Sequence, residues 1–157
     1  MRAALAELGF LAPEAPDLLA RHAIACPALP TCGLAVTESE RILPDVLQRL
    51  DALLQRLEIE KPVLVRMTGC PNGCARPYMA EIGLVGSGVE QYQLWLGGTP
   101  NLTRLASPFL ERMPLAQLES TLEPLLRSWK AAGGRRSFGE HVAQLGDAAV
   151  REALAAC

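Results

Sequence analysis

Two short cysteine clusters constrain this chain more than any other feature. Cys26 and Cys32 stand at C-x5-C spacing and Cys70 and Cys74 at C-x3-C spacing, with a long intervening segment that has to leave the first pair and return to the second. Five cysteines in 157 residues, in a compartment that keeps thiols reduced, point to metal binding or redox work rather than to disulfides. Glu7, Glu14 and Asp17 interrupt the apolar positions of the first thirty residues, as do Pro13 and Pro16, so neither a signal-peptide core nor a basic transit peptide is present. The expected localisation is cytoplasmic. No stretch approaches the roughly 18 uncharged apolar residues of a membrane-spanning helix, so no membrane partner is expected.

A cubane cluster needs four converging thiolates, which a chain supplies most readily from two loops that each carry a pair. Pro27 and Pro30 stiffen the first loop, and Pro71 and Gly73 shape a tight turn in the second. Amides near Asn72 and Gly73 are placed to donate to sulfur, which would raise a cluster's potential. A structural zinc site is the plainer alternative, although zinc usually takes C-x2-C to C-x4-C pairs and the x5 arm fits it poorly. Unligated core thiols are a third reading, and spacing alone leaves the three open. Cys157 lies outside both clusters, as an incidental terminal thiol.

The segment between the clusters carries a firm helical signal. Leu43, Val46, Leu47, Leu50, Leu53, Leu54 and Leu57 recur at helical spacing, with Pro44 tolerable in the first turn. Burying such a stripe is worth about 1.5–3 kcal/mol per large side chain before entropy is subtracted, so the helix is expected to dock on a sheet. Val63–Val65, Ile82–Val85 and Tyr92–Leu96 read as three strands, the last two as a hairpin across Gly86–Gly88. Leu115, Leu118, Leu122, Leu125 and Trp129 predict a second helix starting near Pro114 and either kinked or split at Pro124. Ser137–Ala156 reads as one or two closing helices around Gly146. The N-terminal segment 1–20 reads as a short helix and then irregular chain. It resembles a segment entered in mid-sequence, so the expected organisation is 1–20 as the continuation of an upstream part, 21–132 as the cysteine-bearing domain and 133–157 as a helical tail.

With 15 basic and 17 acidic residues the net charge is -2, which gives no general pull toward nucleic acid. The fold class expected from these elements is α/β of the mixed α+β type, a small sheet covered by helices, with both cysteine loops emerging at one edge.

The longer strings Ala25–Ala35 (ACPALPTCGLA) and Arg66–Gly86 (RMTGCPNGCARPYMAEIGLVG) strongly resemble the siroheme nitrite/sulfite reductase family. The likeness continues through Gln93–Gly98 and Ser137–Glu140, and so covers nearly everything from about residue 20. The nitrite reductases carry Gly-Gln-Ala-Gln type residues after the last cysteine, where Ala75-Arg76-Pro77-Tyr78 stands here, which favours sulfite as substrate. The tract 117–126 and Ser137-Phe138-Gly139 are closer to the ferredoxin-dependent branch. The resemblance implies a nitrite/sulfite reductase 4Fe-4S domain-like fold. It also implies Cys26, Cys32, Cys70 and Cys74 as ligands of a 4Fe-4S cluster, with Cys74 in addition the axial ligand of siroheme iron and the residue at the catalytic centre. The implied activity is reduction of sulfite to sulfide with electrons from ferredoxin. Other implied partners are sulfite itself and a missing N-terminal part of the enzyme, without which the chain is expected to be inactive. The alternatives are a fragment of a ferredoxin-nitrite reductase and a non-catalytic iron-sulfur or zinc module.

Arg66, Arg76 and Arg104 fall in the family-like segments and are candidates for siroheme carboxylates, against the commoner solvated or ion-paired arginine. Asn72 is expected to cap the turn at Cys74. His22 and His141 have no partner spacing and read as surface or helix-end residues, and Trp95 and Trp129 as core.

Overall fold

The computed structural model describes Glu7 and residues 19–155. The expectations for the first eighteen residues, Glu7 apart, and for Cys157 lie outside the described residues. A five-stranded sheet is ordered β1-β2-β3-β4-β5 along the chain, from Ile24–Ala25 (β1), Val65–Thr68 (β2), Ile82–Gly88 (β3), Gln91–Leu96 (β4) and Ser107–Pro114 (β5). The first three strands are parallel and the last two antiparallel. Among the described residues four helices complete the fold: Leu43–Arg56 (α1), Leu118–Ala131 (α2), Phe138–Leu145 (α3) and Asp147–Ala155 (α4). Among the described residues no helix is long and apolar enough to cross a membrane.

The mixed α+β class and the predicted hairpin are present, and α1 carries Pro44 in its first turn as expected. The strand predicted at Val63–Val65 begins two residues later, because Leu64 uses its amide to reach the Glu81 carboxylate instead of a neighbouring strand. Two strands escaped the sequence reading. β1 is two residues long, and β5 carries Pro108 and three charged or exposed positions that mask its alternation. Pro114 closes β5 rather than opening a helix, and a single 3-10 turn at Leu115–Gln117 leads into α2. That helix runs unbroken through Pro124. An interior proline costs about 3 kcal/mol or more, which is offset by burying Leu118, Leu122, Leu125, Leu126 and Trp129 along one side.

One apolar cluster joins α1, α2, α3 and α4 to a single face of the sheet, through Val65, Met67, Ile82, Leu84, Tyr92, Leu94 and Leu96. Successive side chains of a strand alternate between faces, so Arg66 and Thr68 of β2 point the other way, and the register places them level with Gly83 and Val85. That second face is partly covered by the 3-10 turn Pro77–Met79. A Cβ on Gly83 would strike the Pro77 carbonyl, so glycine lets the turn lie directly on the strand. α3 is closed at its start by a capping box, in which the Glu140 amide donates to Ser137 Oγ and the Ser137 amide to the Glu140 carboxylate.

Candidate iron-sulfur and tetrapyrrole site

Parallel pairing of β1 and β2 decides where the cysteines go. Both strands end at the same end of the sheet, β1 running directly into Cys26 and β2 through Gly69 into Cys70. The two loops touch: Cys26, Ala28 and Ala75 form a small buried apolar cluster, with Ile24 and Ala35 packed against it. Gly69 is the point of closest approach. A Cβ there would stand 2.6 Å from Ala28 Cβ and 2.6 Å from the Thr37 carbonyl oxygen, distances that real Cβ atoms do not tolerate. The Gly69 amide donates to Cys26 Sγ at 3.3 Å, and its carbonyl accepts from the Val36 amide at 2.9 Å. One glycine therefore ties the second loop to both ends of the first.

Several further bonds hold the first loop. The Cys26 amide and Ser39 Oγ both donate to the Met67 carbonyl, at 3.2 and 2.8 Å, and the Glu40 amide donates to the Cys26 carbonyl at 3.1 Å. Tyr92, fully buried in β4, donates its hydroxyl to the Glu38 carbonyl at 2.7 Å and lies 3.1 Å from Thr37 Oγ1. Burial pushes its phenol up to about 12. Sequence reasoning placed Tyr92 in a strand but offered no signal of this role, since the partner is more than fifty residues away.

The second loop is closed by its own backbone, the Arg76 amide donating to the Gly73 carbonyl at 2.7 Å and the Gly73 amide reaching the Cys70 carbonyl at 3.5 Å. Asn72 is exposed, and the turn is held by these amides rather than by the expected side-chain cap. Gly73 has φ +69°, and a Cβ on it would meet the Tyr78 ring at 2.5 Å. Tyr78 donates to the Pro71 carbonyl at 2.6 Å and packs edge-on against Trp95 with ring centroids 4.5 Å apart. Trp95 thus supports the cysteine turn on the second face instead of joining the main core, whereas Trp129 is in that core as expected.

All four cysteines of the two clusters are free thiols, Cys26 and Cys70 buried, Cys32 partly so and Cys74 exposed. Among the described residues no three of His, Cys, Asp or Glu converge on a point where a single ion would sit. On the second face, next to the strand that leads into Cys70, the Arg66 Nε and Nη1, Thr68 Oγ1 and Ser87 Oγ atoms are buried and make no hydrogen bond among the described residues. Buried polar atoms are almost always paired, so this face is built to meet something polar. It fits a polycarboxylate macrocycle beside thiolates, which supply the ligand type of an iron-sulfur cluster.

Of the three candidate arginines, two come together. Arg76 repels Arg66, and with burial as the larger cause it pushes the Arg66 guanidinium below its ordinary value. Arg104 is elsewhere, exposed beside Arg136 and Glu140, with its amide on Thr99 Oγ1. His141 is buried inside α3, not at a surface or helix end, 3.0 Å from Ser128 Oγ, while His22 is exposed. Glu81 was not singled out by sequence. Its two carboxylate oxygens accept the amides of Leu64 at 2.8 Å and Gly139 at 2.9 Å, joining the residue just before β2 to the start of α3. Burial, only partly offset by those amides, raises its carboxyl above the usual range.

The fold is shared with the NirA protein of Mycobacterium tuberculosis, which superimposes with a TM-score of 0.71 over 94% of this chain and 30% of its own, at 24% identity. Sequence similarity adds to this likeness of fold. The chain is 51% identical over 150 residues to a ferredoxin sulfite reductase of Synechococcus elongatus, an alignment covering 94% of this chain and 24% of the relative. It is also 51% identical over 114 residues to an NADPH sulfite reductase hemoprotein beta-component of Xylella fastidiosa, covering 72% and 20%. The corresponding component of Methylorubrum extorquens is 45% identical over 139 residues, covering 88% and 22%. The chain is therefore a homologue of the sulfite reductases, and it spans about a quarter of the length of the curated relatives it matches. No protein-family model matches it.

Proposed function

We propose that this chain is the C-terminal, 4Fe-4S- and siroheme-binding part of a ferredoxin-dependent sulfite reductase. The observation that carries the reading is the delivery of both cysteine pairs to one end of the β1–β2 pair, locked together at Gly69. Cys26, Cys32, Cys70 and Cys74 would hold the cluster, and Cys74, the exposed one of the four, would also serve the siroheme iron. When bound, these groups supply one-electron transfer and the iron at which sulfite is reduced to sulfide.

The chain's own residues prepare that site. The Gly69 amide donates to Cys26 Sγ, a bond that would favour the reduced, more negative state of a cluster held there. The Tyr78–Trp95 pair holds the Cys70–Cys74 turn against the sheet. Thr68 and Ser87 offer unpaired hydroxyls on the face beside it. Arg76, exposed two residues beyond Cys74, places a cation where an anionic substrate or a tetrapyrrole carboxylate would be neutralised. Ferredoxin as donor is supported by the long match to the Synechococcus enzyme.

Anaerobic reconstitution of the chain tests the reading. About four irons per chain are expected, with cluster and siroheme both disturbed by Cys74→Ser and neither by Cys157→Ser. Binding of one zinc and no iron, or equal losses in the two variants, would overturn it. The chain alone, given reduced methyl viologen and sulfite, is expected to yield almost no sulfide. Turnover matching that of a full-length relative would refute its status as a part.

A further inference from the structure

Glu81 is 1% exposed and closes the crossover 69–81, which leaves β2, carries Cys70 and Cys74, and returns to the start of β3. Taking a carboxylate out of water without a cation beside it is costly, and among the described residues no cation forms an ion pair with Glu81. It meets two backbone donors instead, the Leu64 amide at Oε2 and the Gly139 amide at Oε1. A glutamine has one acceptor oxygen, and its NH2 would face the second amide donor to donor. Serving both amides therefore asks for a carboxylate. The backbone of the same residue widens the junction: the Glu81 amide donates to the Leu64 carbonyl at 3.1 Å, and the Glu81 carbonyl accepts from the Gly97 amide at 3.4 Å. A Cβ on Gly139 would strike the Gly98 carbonyl, and one on Gly98 the Ala80 carbonyl, so α3 lies directly on this junction.

From Glu81 a ladder of backbone bonds leads back to the cysteines. The Ala80 amide donates to the Pro77 carbonyl at 3.0 Å, Met79 to Arg76 at 3.1 Å, Arg76 to Gly73 at 2.7 Å and Gly73 to Cys70 at 3.5 Å. The crossover is thus a succession of three-residue turns with little slack. It lies on the second face against Gly83, which has no side chain to stop it sliding along the strand. We propose that Glu81 is a positioning residue for the second cysteine turn, anchoring the far end of the crossover to α3 so that docking of that helix and placement of Cys70 are coupled. The coupling acts on the loop that carries the thiols, so it holds whether or not they bind a cluster. Gly69 fixes the same crossover at its other end, and Glu81 supplies the second fixed point that a rigid connection needs.

The test is alkylation of the metal-free 157-residue chain by iodoacetamide under anaerobic conditions, resolved cysteine by cysteine by peptide mass spectrometry. Amide exchange at Leu64 and Gly139 is followed in parallel. Glu81→Ala leaves both amides without an acceptor, and Glu81→Gln leaves one. Loss of a hydrogen bond to a charged group makes local opening about ten- to a hundredfold more frequent. Alkylation of the buried Cys70 and exchange at the two amides should accelerate by about that factor in Glu81→Ala. In Glu81→Gln, Cys70 and one of the amides should accelerate by less, a partial rescue by the variant that keeps one oxygen. Alkylation of Cys26, equally buried but on the first loop, should stay at the wild-type rate. Glu81→Gln decides alone should the alanine variant fold poorly. Equal acceleration at Cys26 and Cys70 would mark a general loosening of the fold and overturn the proposal. Freed amides with Cys70 unchanged, a faster Cys70 with both amides unchanged, or no change at any of them would overturn it as well. Iron content plays no part in this readout, so it fails or succeeds separately from the cluster assignment.

Discussion

Replacing Gly69 by alanine should separate the two cysteine loops without touching a sulfur. The added methyl would lie 2.6 Å from Ala28 Cβ and 2.6 Å from the Thr37 carbonyl oxygen, with Ala35 Cβ at 3.1 Å. Two of these neighbours are short side chains fixed to the first loop and one is backbone, so none can swing aside. Relief requires moving the loop, which lengthens the Gly69 N–H to Cys26 Sγ and Val36 N–H to Gly69 carbonyl bonds. Overpacking of this kind costs about 1–3 kcal/mol, and losing one hydrogen bond adds about 1. Against this, alanine restricts the unfolded chain and returns about 0.4–1 kcal/mol. The net is a loss of about 1–3 kcal/mol, read as a Tm lowered by about 2–4 °C per kcal/mol for a chain of this size. Gly33→Ala is the matched control, since a Cβ there meets nothing within 4 Å. Thermal unfolding and iron retained per chain after anaerobic reconstitution should both fall for Gly69→Ala and stay level for Gly33→Ala. Equal stability and equal iron in the two variants would refute the claim that Gly69 sets the distance between the loops.

Leu122 has no exposed surface and sits in the main core, so Leu122→Ala should cost about 2–5 kcal/mol in urea unfolding; a loss under about 1 kcal/mol would show that α2 packs loosely. His141, lowered in pKa by burial and then by Arg136, binds its proton less readily folded than unfolded. Its contribution is thus present above the unfolded value of about 6.5 and lost as pH falls through and below it. Comparison of Tm at pH 7.5 and 5.5 should show a larger drop for wild type than for His141→Gln, and identical drops would remove His141 from the account.

Much of the candidate site was legible in one dimension. The paired cysteines, the stiff loops around them and the α1 stripe are local patterns, and each is a statement about residues a few positions apart. Such patterns survive folding because loop stiffness and helical period are properties of the chain itself. The capping box at Ser137 and Glu140 is a local pattern of the same kind, although the sequence reading took those residues only as part of the family resemblance. The elements that escaped were those whose partners are distant: β1 exists only because β2 pairs with it, and β5 hides its alternation behind a proline and exposed charges.

Tertiary structure alone decided what surrounds the sulfurs. No spacing rule shows that Gly69 must lack a side chain for Ala28 and Thr37 to approach, or that Tyr92 reaches back to Glu38. None shows that Trp95 leaves the core to brace Tyr78. The same holds for Arg66, which the sequence marks only as one of three arginines in the family-like segments and which becomes a buried cation without a hydrogen-bond partner among the described residues only when β2 is flanked by β1 and β3. Burial and unmet hydrogen bonds are sums over neighbours from the whole chain. The sequence by itself therefore determined which thiols are available and how closely each pair is spaced, while packing determined where the loops meet and which polar groups they leave unsatisfied.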